Sequence, residues 1–186
     1  MRCAFRLTLL FLLFLFAAGT LLQRNLVINT TGSFPRGLYL KEAREFRKGD
    51  LVLVCPPDRP IFHDALGVGL LSPGLCPGGL GYLIKQVAAT EGDFVEISPA
   101  GVTINGKHLK NSRRQPLRLG HVEVPVHREL HKEVVLMSPH PLSFDSRYFG
   151  IIPASAVLTS LAPLFTQGEI HGQGTGLLQG SCGKAD

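Results

Sequence analysis

The chain has 186 residues, of which 45% are hydrophobic and 18% are charged, and its formal net charge is +5. This length suits one domain with an appendage and excludes two full-sized cores. Its 21 glycines and 13 prolines disfavour a helical bundle, and the lack of fixed-period repeats and long low-complexity tracts excludes solenoid, collagen-like and disordered classes. The basic clusters contain no interleaved aromatic residues, so the charge does not indicate a nucleic-acid partner.

The first predicted element is an apolar helix over residues 7–22, preceded by Arg2 and Arg6. These 16 residues extend about 24 Å as a helix, which is short of a hydrocarbon core of about 30 Å. Arg6 can snorkel to the lipid headgroups, so a span through a thin membrane is feasible.

A cleaved secretory signal is the alternative for this segment, because the small residues 17–19 follow the apolar core. An A-x-A cleavage site is missing, however, and Leu21 and Leu22 continue the apolar run. We therefore expect residues 1–24 to be an uncleaved single-pass anchor. By the positive-inside rule its N-terminus stays in the cytoplasm and the rest of the chain is exported.

Beyond the anchor, short apolar runs alternate with turn residues. The sequence predicts strands at 37–40, 50–54, 82–88, 94–97, 102–104, 121–126 and 133–137, and a short helix within 61–71. Many short strands with frequent turns indicate a mainly β fold, a compact antiparallel domain over residues 25–166. The Gly-rich residues 167–186 are expected to form a flexible tail.

Two cysteines bracket a long loop after the second predicted strand. Cys55 and Cys76 are each followed by proline, and neither has a partner at the two-to-four-residue spacing of zinc sites. In the oxidising compartment that an exported domain reaches, they are expected to form a disulfide. Cys182, in the tail, is then the odd cysteine once Cys55 and Cys76 are paired.

Ser33 lies in the segment NTTGSFPRGLY, a few residues beyond the apolar helix. Gly32 permits unusual backbone angles and Pro35 stiffens the turn, so the serine hydroxyl and its own N–H can be held exposed and pointing the same way. On these residues alone, an ordinary juxtamembrane linker is the more frequent explanation.

Lys85 interrupts the apolar run YLIKQVA. Burial disfavours the ammonium form and lowers the pKa of a lysine, and a neutral amine at pH 7 is a general base. The alternative is a strand lysine that faces solvent. Alternation places Lys85 on the same side as Leu83 and Val87, which makes that side apolar and weakens the alternative.

The third polar segment is SFDSRYFG, residues 143–150. Alone it predicts a turn that is ordered by an ion pair between Asp145 and Arg147.

Taken together, Ser33 in a constrained turn and Lys85 in an apolar strand are the parts of a Ser–Lys nucleophile–base pair. The sequence has no HExxH, GxSxG, GxxxxGK or GxGxxG motif, so we expect no metal, cofactor or nucleotide.

The order of these segments resembles that of the type I signal peptidase family. The blocks are a basic-flanked anchor, TGSFPRGLY, GYLIKQVAATEGD, NG and SFDSRYFG, and they extend to about residue 163. The serine followed by x-P-x-G-L-Y and the two Cys-Pro elements are most similar to the TraF-type conjugative transfer peptidases. One departure is MSPH at 137–140, where the wider family usually has Gly-Asp-Asn.

The resemblance implies a serine endopeptidase in which Ser33 is the nucleophile and Lys85 is the general base. The supporting residues it implies are Thr31 at the oxyanion, Ser143 beside the base, and Asp145 and Arg147 in the ordered loop. It also implies a fold of the signal peptidase type.

The implied substrate is an exported precursor peptide, a propilin in a conjugation system, and some relatives also cyclise the pilin. The other expected partner is the bilayer, with the protein in the bacterial inner membrane and its catalytic domain in the periplasm. Two alternatives stay open: a general type I signal peptidase, and a non-catalytic β module of a conjugation apparatus. A scaffold, however, gives no reason for Lys85 in an apolar strand.

Overall fold

A computed structural model describes residues 2–122 and 125–167 of the chain. Residues 168–186 of the predicted tail, with Cys182, lie outside the described residues. The helices are α1 (Arg2–Asn25), α2 (Pro60–Gly67) and α3 (Ser146–Phe149). The strands are β1 (Leu26–Asn29), β2 (Arg36–Glu42), β3 (Leu51–Val54), β4 (Pro73–Cys76), β5 (Leu83–Ala89), β6 (Phe94–Ser98), β7 (Gly101–Ile104), β8 (Lys107–His108), β9 (Val126–Glu129), β10 (Glu133–Met137), β11 (Ile152–Pro153) and β12 (Val157–Gln167).

The strands form two antiparallel sheets, which confirms the predicted mainly β fold. The larger sheet has the order β1-β2-β12-β3-β5-β10-β11, and the smaller sheet has the order β8-β7-β6-β9. One apolar core packs the larger sheet against α2 and α3. A second core joins the ends of β5 and β10 to the smaller sheet.

Strand β5 lies inside the larger sheet, between β3 and β10. All seven of its residues are buried, so it has no solvent face. Because both faces are covered, the strand is a nearly continuous apolar run rather than an alternating one. The alternative of a solvent-facing Lys85 is therefore wrong.

The smaller sheet contains two tight turns. The β6–β7 hairpin closes before Gly101, and the β7–β8 turn is formed by Asn105 and Gly106 with φ angles of 49° and 77°. Two consecutive positive φ angles are what a tight Asn-Gly hairpin turn requires.

Two predicted elements have different limits in the structure. The helix expected within 61–71 ends at Gly67, and Gly69 has a φ of 75° that a helix does not continue through. The strand expected at 121–126 is misplaced: residues 121–122 are not in a strand, residues 123–124 are not described, and β9 begins at Val126. Pro125 lacks an N–H for a ladder, so pairing with β6 starts after it.

Helix α1 covers the apolar segment and leads directly into β1. The large hydrophobic side chains of residues 9–16 are exposed. Among the described residues, no helix combines the length and the apolar character needed to cross a membrane.

The Cys55–Cys76 disulfide predicted from the sequence is present, with the two Cα atoms 5.6 Å apart. It links the residue after β3 to the last residue of β4. The bond therefore joins the two ends of the segment that contains α2 and β4, next to the end of β3.

Removal of this disulfide should destabilise the protein. We expect Cys55→Ser to lower the free energy of unfolding by about 3 kcal/mol, because the bond closes a loop with a sequence separation of 21 residues. The double variant Cys55→Ser/Cys76→Ser should match the single variant, since both remove the same bond. Urea denaturation measures this, and a loss below about 1 kcal/mol would contradict it.

Candidate active site

Three of the predicted site residues meet at one point. Ser33 lies in the turn between β1 and β2, Lys85 lies in β5, and Ser143 lies between β10 and α3. Lys85 Nζ is 2.8 Å from Ser143 Oγ and 3.1 Å from Ser33 Oγ, and the two hydroxyl oxygens are 3.2 Å apart. The fold thus brings together side chains that are separated by 52 to 110 residues along the chain.

The Lys85 amine is buried, since the side chain is only 2% exposed. Burial lowers the pKa of Lys85 from 10.5 to about 8; nearby Asp145 opposes this shift and nearby Arg147 adds to it. None of the ion pairs among the described residues involves Lys85. A lysine in this position loses its proton far more readily than one at the surface.

A neutral amine has one lone pair and two N–H groups. With an N–H donated to Ser143, the lone pair is free to accept the proton of the Ser33 hydroxyl at 3.1 Å. The geometry therefore suits proton transfer from Ser33 to Lys85, with Ser143 orienting the amine.

The turn that carries Ser33 is organised by Asn29, which is 4% exposed. The Asn29 amide nitrogen donates to the carbonyl oxygens of Thr31, Phe34 and Pro35 at 3.3, 3.0 and 3.1 Å. Phe34, in the same turn, is buried. Sequence reasoning missed this role of Asn29, although an Asn before a Gly-containing turn is a signal for side-chain to backbone bonding.

The hydroxyl of Thr31, in the same turn, is bonded to Asn29 and not to Ser33. The Thr31 Oγ1 donates to Asn29 Oδ1 at 2.8 Å, and the Thr31 N–H donates to the same oxygen at 3.0 Å. The predicted oxyanion ligand is thus bound to the turn in the free protein.

Asp145 and Arg147 form a fully buried, two-pronged ion pair. Arg147 Nε lies 2.7 Å from Asp145 Oδ1, and Arg147 Nη2 lies 2.5 Å from Asp145 Oδ2. The guanidinium also donates to backbone carbonyl oxygens of Asn111, Pro141 and His140. A buried pair is tolerated when its remaining groups are hydrogen-bonded in this way, and the loop is held in one conformation.

Sequence reasoning also missed Ser138. Its hydroxyl donates to the backbone carbonyl of Ser33 at 2.6 Å, and its N–H donates to Asp145 Oδ2 at 3.0 Å. The available signal was the departure from Gly-Asp-Asn at 137–140, which contains this serine.

A groove of about 530 Å³ opens over Ser33, Lys85 and Ser143. Its walls include residues of β1, the start of β5 and the segment 69–75. Among the described strands, β1 is at the sheet edge and pairs only with β2, so its other side can add an extended peptide. In the described part of the chain, no group of three His, Cys, Asp or Glu side chains is placed to hold a metal ion.

Comparison with known proteins identifies the family of this chain. The family model described as signal peptidase, peptidase S26, matches residues 1–165. The chain belongs to the signal peptidase family. It is therefore a serine peptidase of the signal peptidase type, as its sequence blocks implied.

Several relatives of this signal peptidase are plasmid or conjugal transfer proteins. It is 37% identical to the plasmid transfer protein TraF of Escherichia coli over 158 residues, which cover 82% of this chain and 89% of that protein. It is 39% identical to the conjugal transfer protein TraF of Agrobacterium tumefaciens over 150 residues, covering 75% and 81% of the two chains. The resemblance to the TraF-type subgroup is thereby confirmed.

The stability of this signal peptidase should depend on pH through Lys85. Between pH 8 and 10.5 the unfolded chain binds a proton at Lys85 that the folded protein does not, so the free energy of unfolding rises with pH in that interval. We expect the wild type to gain about 3 kcal/mol relative to Lys85→Met across it. Urea denaturation at several pH values measures the difference.

Lys107→Met is the control for the loss of one positive charge, because Lys107 is exposed. Its stability difference from the wild type should stay nearly constant over the same pH range. If the difference in the free energy of unfolding between the wild type and Lys85→Met does not change with pH, the lowered pKa of Lys85 is contradicted.

Proposed function

We propose that this protein is a membrane-bound serine endopeptidase in which Ser33 is the nucleophile and Lys85 is the general base. The observation that carries the proposal is the buried Lys85 amine, within hydrogen-bonding distance of the Ser33 and Ser143 hydroxyls. A non-catalytic module gives no reason to bury an amine at the floor of a peptide-sized groove, because the desolvation cost brings no structural gain.

In the proposed reaction, neutral Lys85 takes the proton of Ser33 as Oγ attacks the scissile carbonyl carbon. The resulting tetrahedral intermediate collapses when the Lys85 ammonium returns the proton to the leaving amine, and an acyl-enzyme ester forms on Ser33. Water then attacks the ester and releases a linear product. Attack by the amino terminus of the acyl group itself would instead release a cyclic product.

The oxyanion is proposed to accept hydrogen bonds from the Ser33 N–H and the Thr31 hydroxyl. The Thr31 hydroxyl donates to Asn29 in the free protein, so it must rotate toward the groove when substrate binds. One such donor typically contributes about 3–4 kcal/mol to the transition state.

The proposed substrate is an exported precursor in a conjugation system, with a propilin as the specific case. Support comes from the names of the relatives, which describe plasmid and conjugal transfer. The open side of β1 suits an extended peptide that adds to the sheet edge. A general signal peptidase is the competing proposal, and MSPH at 137–140 and the Cys55–Cys76 bond distinguish this chain from that pattern.

The site is further proposed to lie at the outer surface of the bacterial inner membrane. Because no described helix is long and apolar enough for an ordinary span, α1 is proposed to anchor the chain in a thin membrane, with Arg6 reaching the lipid headgroups. The apolar residues 7–22, flanked by Arg2 and Arg6, support this orientation. The disulfide suits an oxidising compartment such as the periplasm.

Variants of the two reactive residues test the chemistry. Co-expression with a propilin should show that Ser33→Ala and Lys85→Met each reduce processing by at least about 10³-fold, because either change removes the nucleophile–base pair. The matched controls are Ser155→Ala and Lys107→Met, whose side chains are exposed outside the groove, and both should process normally. Unchanged processing by both Ser33→Ala and Lys85→Met would refute the pair.

The same assay distinguishes the products and the substrates. Mass spectrometry separates a linear pilin from a cyclic one, which is lighter by one water. Cleavage of unrelated secretory precursors at the same rate as the propilin would favour the general signal peptidase.

Fractionation tests the proposed anchor. The full-length protein should remain with membranes after carbonate extraction and be digested by protease added outside spheroplasts, because the anchor leaves the domain exported. A variant that lacks residues 2–22, expressed in the cytoplasm, should be released. Recovery of the full-length protein in the soluble fraction would contradict the anchor, and mature protein that begins near Thr20 would indicate a cleaved signal.

A further inference from the structure

The backbone carbonyl of Ser33 is held from outside its own hairpin. Ser138 Oγ donates to it at 2.6 Å across a sequence separation of 105 residues. Ser138 directly follows β10 and is 1% exposed. The neighbouring carbonyls of the turn, in contrast, are bound by Asn29 from within the hairpin. Ser138 therefore connects the peptide unit of the nucleophile to the loop after β10.

The direction of this hydrogen bond is fixed by its acceptor, and the other partners of Ser138 are compatible with it. A carbonyl has no hydrogen to give, so the hydroxyl proton must point to Ser33. The Ser138 oxygen accepts the N–H of His140 at 3.1 Å. The Ser138 N–H donates to Asp145 Oδ2 at 3.0 Å, and its carbonyl accepts from Arg147 Nη2 at 3.3 Å. The buried ion pair thus holds the backbone of Ser138, from which the hydroxyl reaches Ser33.

We propose that Ser138 is a positioning residue. Through its hydroxyl, the loop that the Asp145–Arg147 pair holds in one conformation also holds the nucleophile Ser33 in place. Holding the Ser33 carbonyl restricts movement of the Ser33 backbone, and so of the Cα from which Oγ extends toward Lys85 Nζ. A displacement of about 1 Å at a reacting atom can cost about 10²-fold in rate. This inference rests on the proposed function, because the position of Ser33 matters in this way only if Ser33 is the nucleophile.

Ser138 and Ser143 act on different parts of the site. Ser143 contacts the Lys85 amine and the Ser33 hydroxyl, whereas the hydrogen bonds of Ser138 are with backbone groups and with the carboxylate of Asp145. Loss of the Ser138 hydroxyl removes no group that contacts the Lys85 amine directly. The turnover rate should therefore fall without a change in the pH dependence.

Ser112, in the loop that follows β8, is a matched control. It is also 1% exposed, its oxygen accepts the N–H of Val102 at 3.0 Å, and its hydroxyl donates to the carbonyl of Leu109 at 2.7 Å. Ser112→Ala removes the same kind of buried bond away from the groove, so it measures the purely structural cost of the substitution.

The experiment uses the full-length protein in detergent micelles and a fluorogenic peptide with alanines before the scissile bond. We expect Ser138→Ala to lower kcat by about 10- to 100-fold while KM stays within about twofold and the midpoint of the pH–rate profile stays in place. Ser138→Thr, which keeps the hydroxyl, should recover most of the loss. Ser112→Ala should keep the wild-type kcat, and its melting temperature should fall about as much as that of Ser138→Ala.

A wild-type kcat for Ser138→Ala, a loss carried in KM, or an equal loss in Ser112→Ala would overturn the inference. If Ser138→Ala does not fold, Ser138→Cys, a close isostere with a weaker donor, takes its place with the same expected fall in kcat. Ser33→Ala is measured in parallel: its inactivity isolates a failure of the Ser138 inference, whereas activity in Ser33→Ala would overturn the proposed function and the inference with it.

Discussion

The burial of one amine determines the arrangement of the rest of this site. Lys85 lies in a strand that is covered on both faces, and the groups that meet its Nζ are two serine hydroxyls. A lysine without a carboxylate in contact, in an apolar strand, is destabilised as a cation, and its pKa falls to about 8. The fold tolerates this cost because hydrogen bonding satisfies the amine, and the same cost makes the amine available as a base near neutral pH.

Two sets of buried polar side chains keep the Ser33 and Ser143 hydroxyls beside the Lys85 amine. Asn29 holds the turn of Ser33 from within its hairpin, and the Asp145–Arg147 pair holds the loop of Ser143. Both sets are almost completely buried and bind backbone groups, so the turn and the loop have few alternative conformations. The position of Ser33 thus depends on residues that do not touch its hydroxyl or the Lys85 amine.

Much of the fold follows from local patterns, and much of the site does not. Strands such as β3, β5 and β10 were predictable because hydrophobic periodicity is a local signal, and the disulfide was predictable because two cysteines of an expected exported domain bracket one loop. The limits of β9 were not, because Pro125 shifted the pairing. The packing over both faces of β5 and the contacts of Asn29 and Ser138 depend on which distant segments meet. The sequence blocks of the family indicated Ser33, Lys85 and Ser143 as a group, and the described structure supplies their distances.

The pH dependence of kcat/KM for peptide cleavage tests the central claim most directly, since it reports the ionisation of the free enzyme. If the buried Lys85 amine activates Ser33, kcat/KM should rise with pH through a midpoint near 8 and then level off, because the neutral amine is the reactive form. A profile that does not rise between about pH 7 and 9, or one that falls, would contradict the claim that burial of Lys85 generates the base.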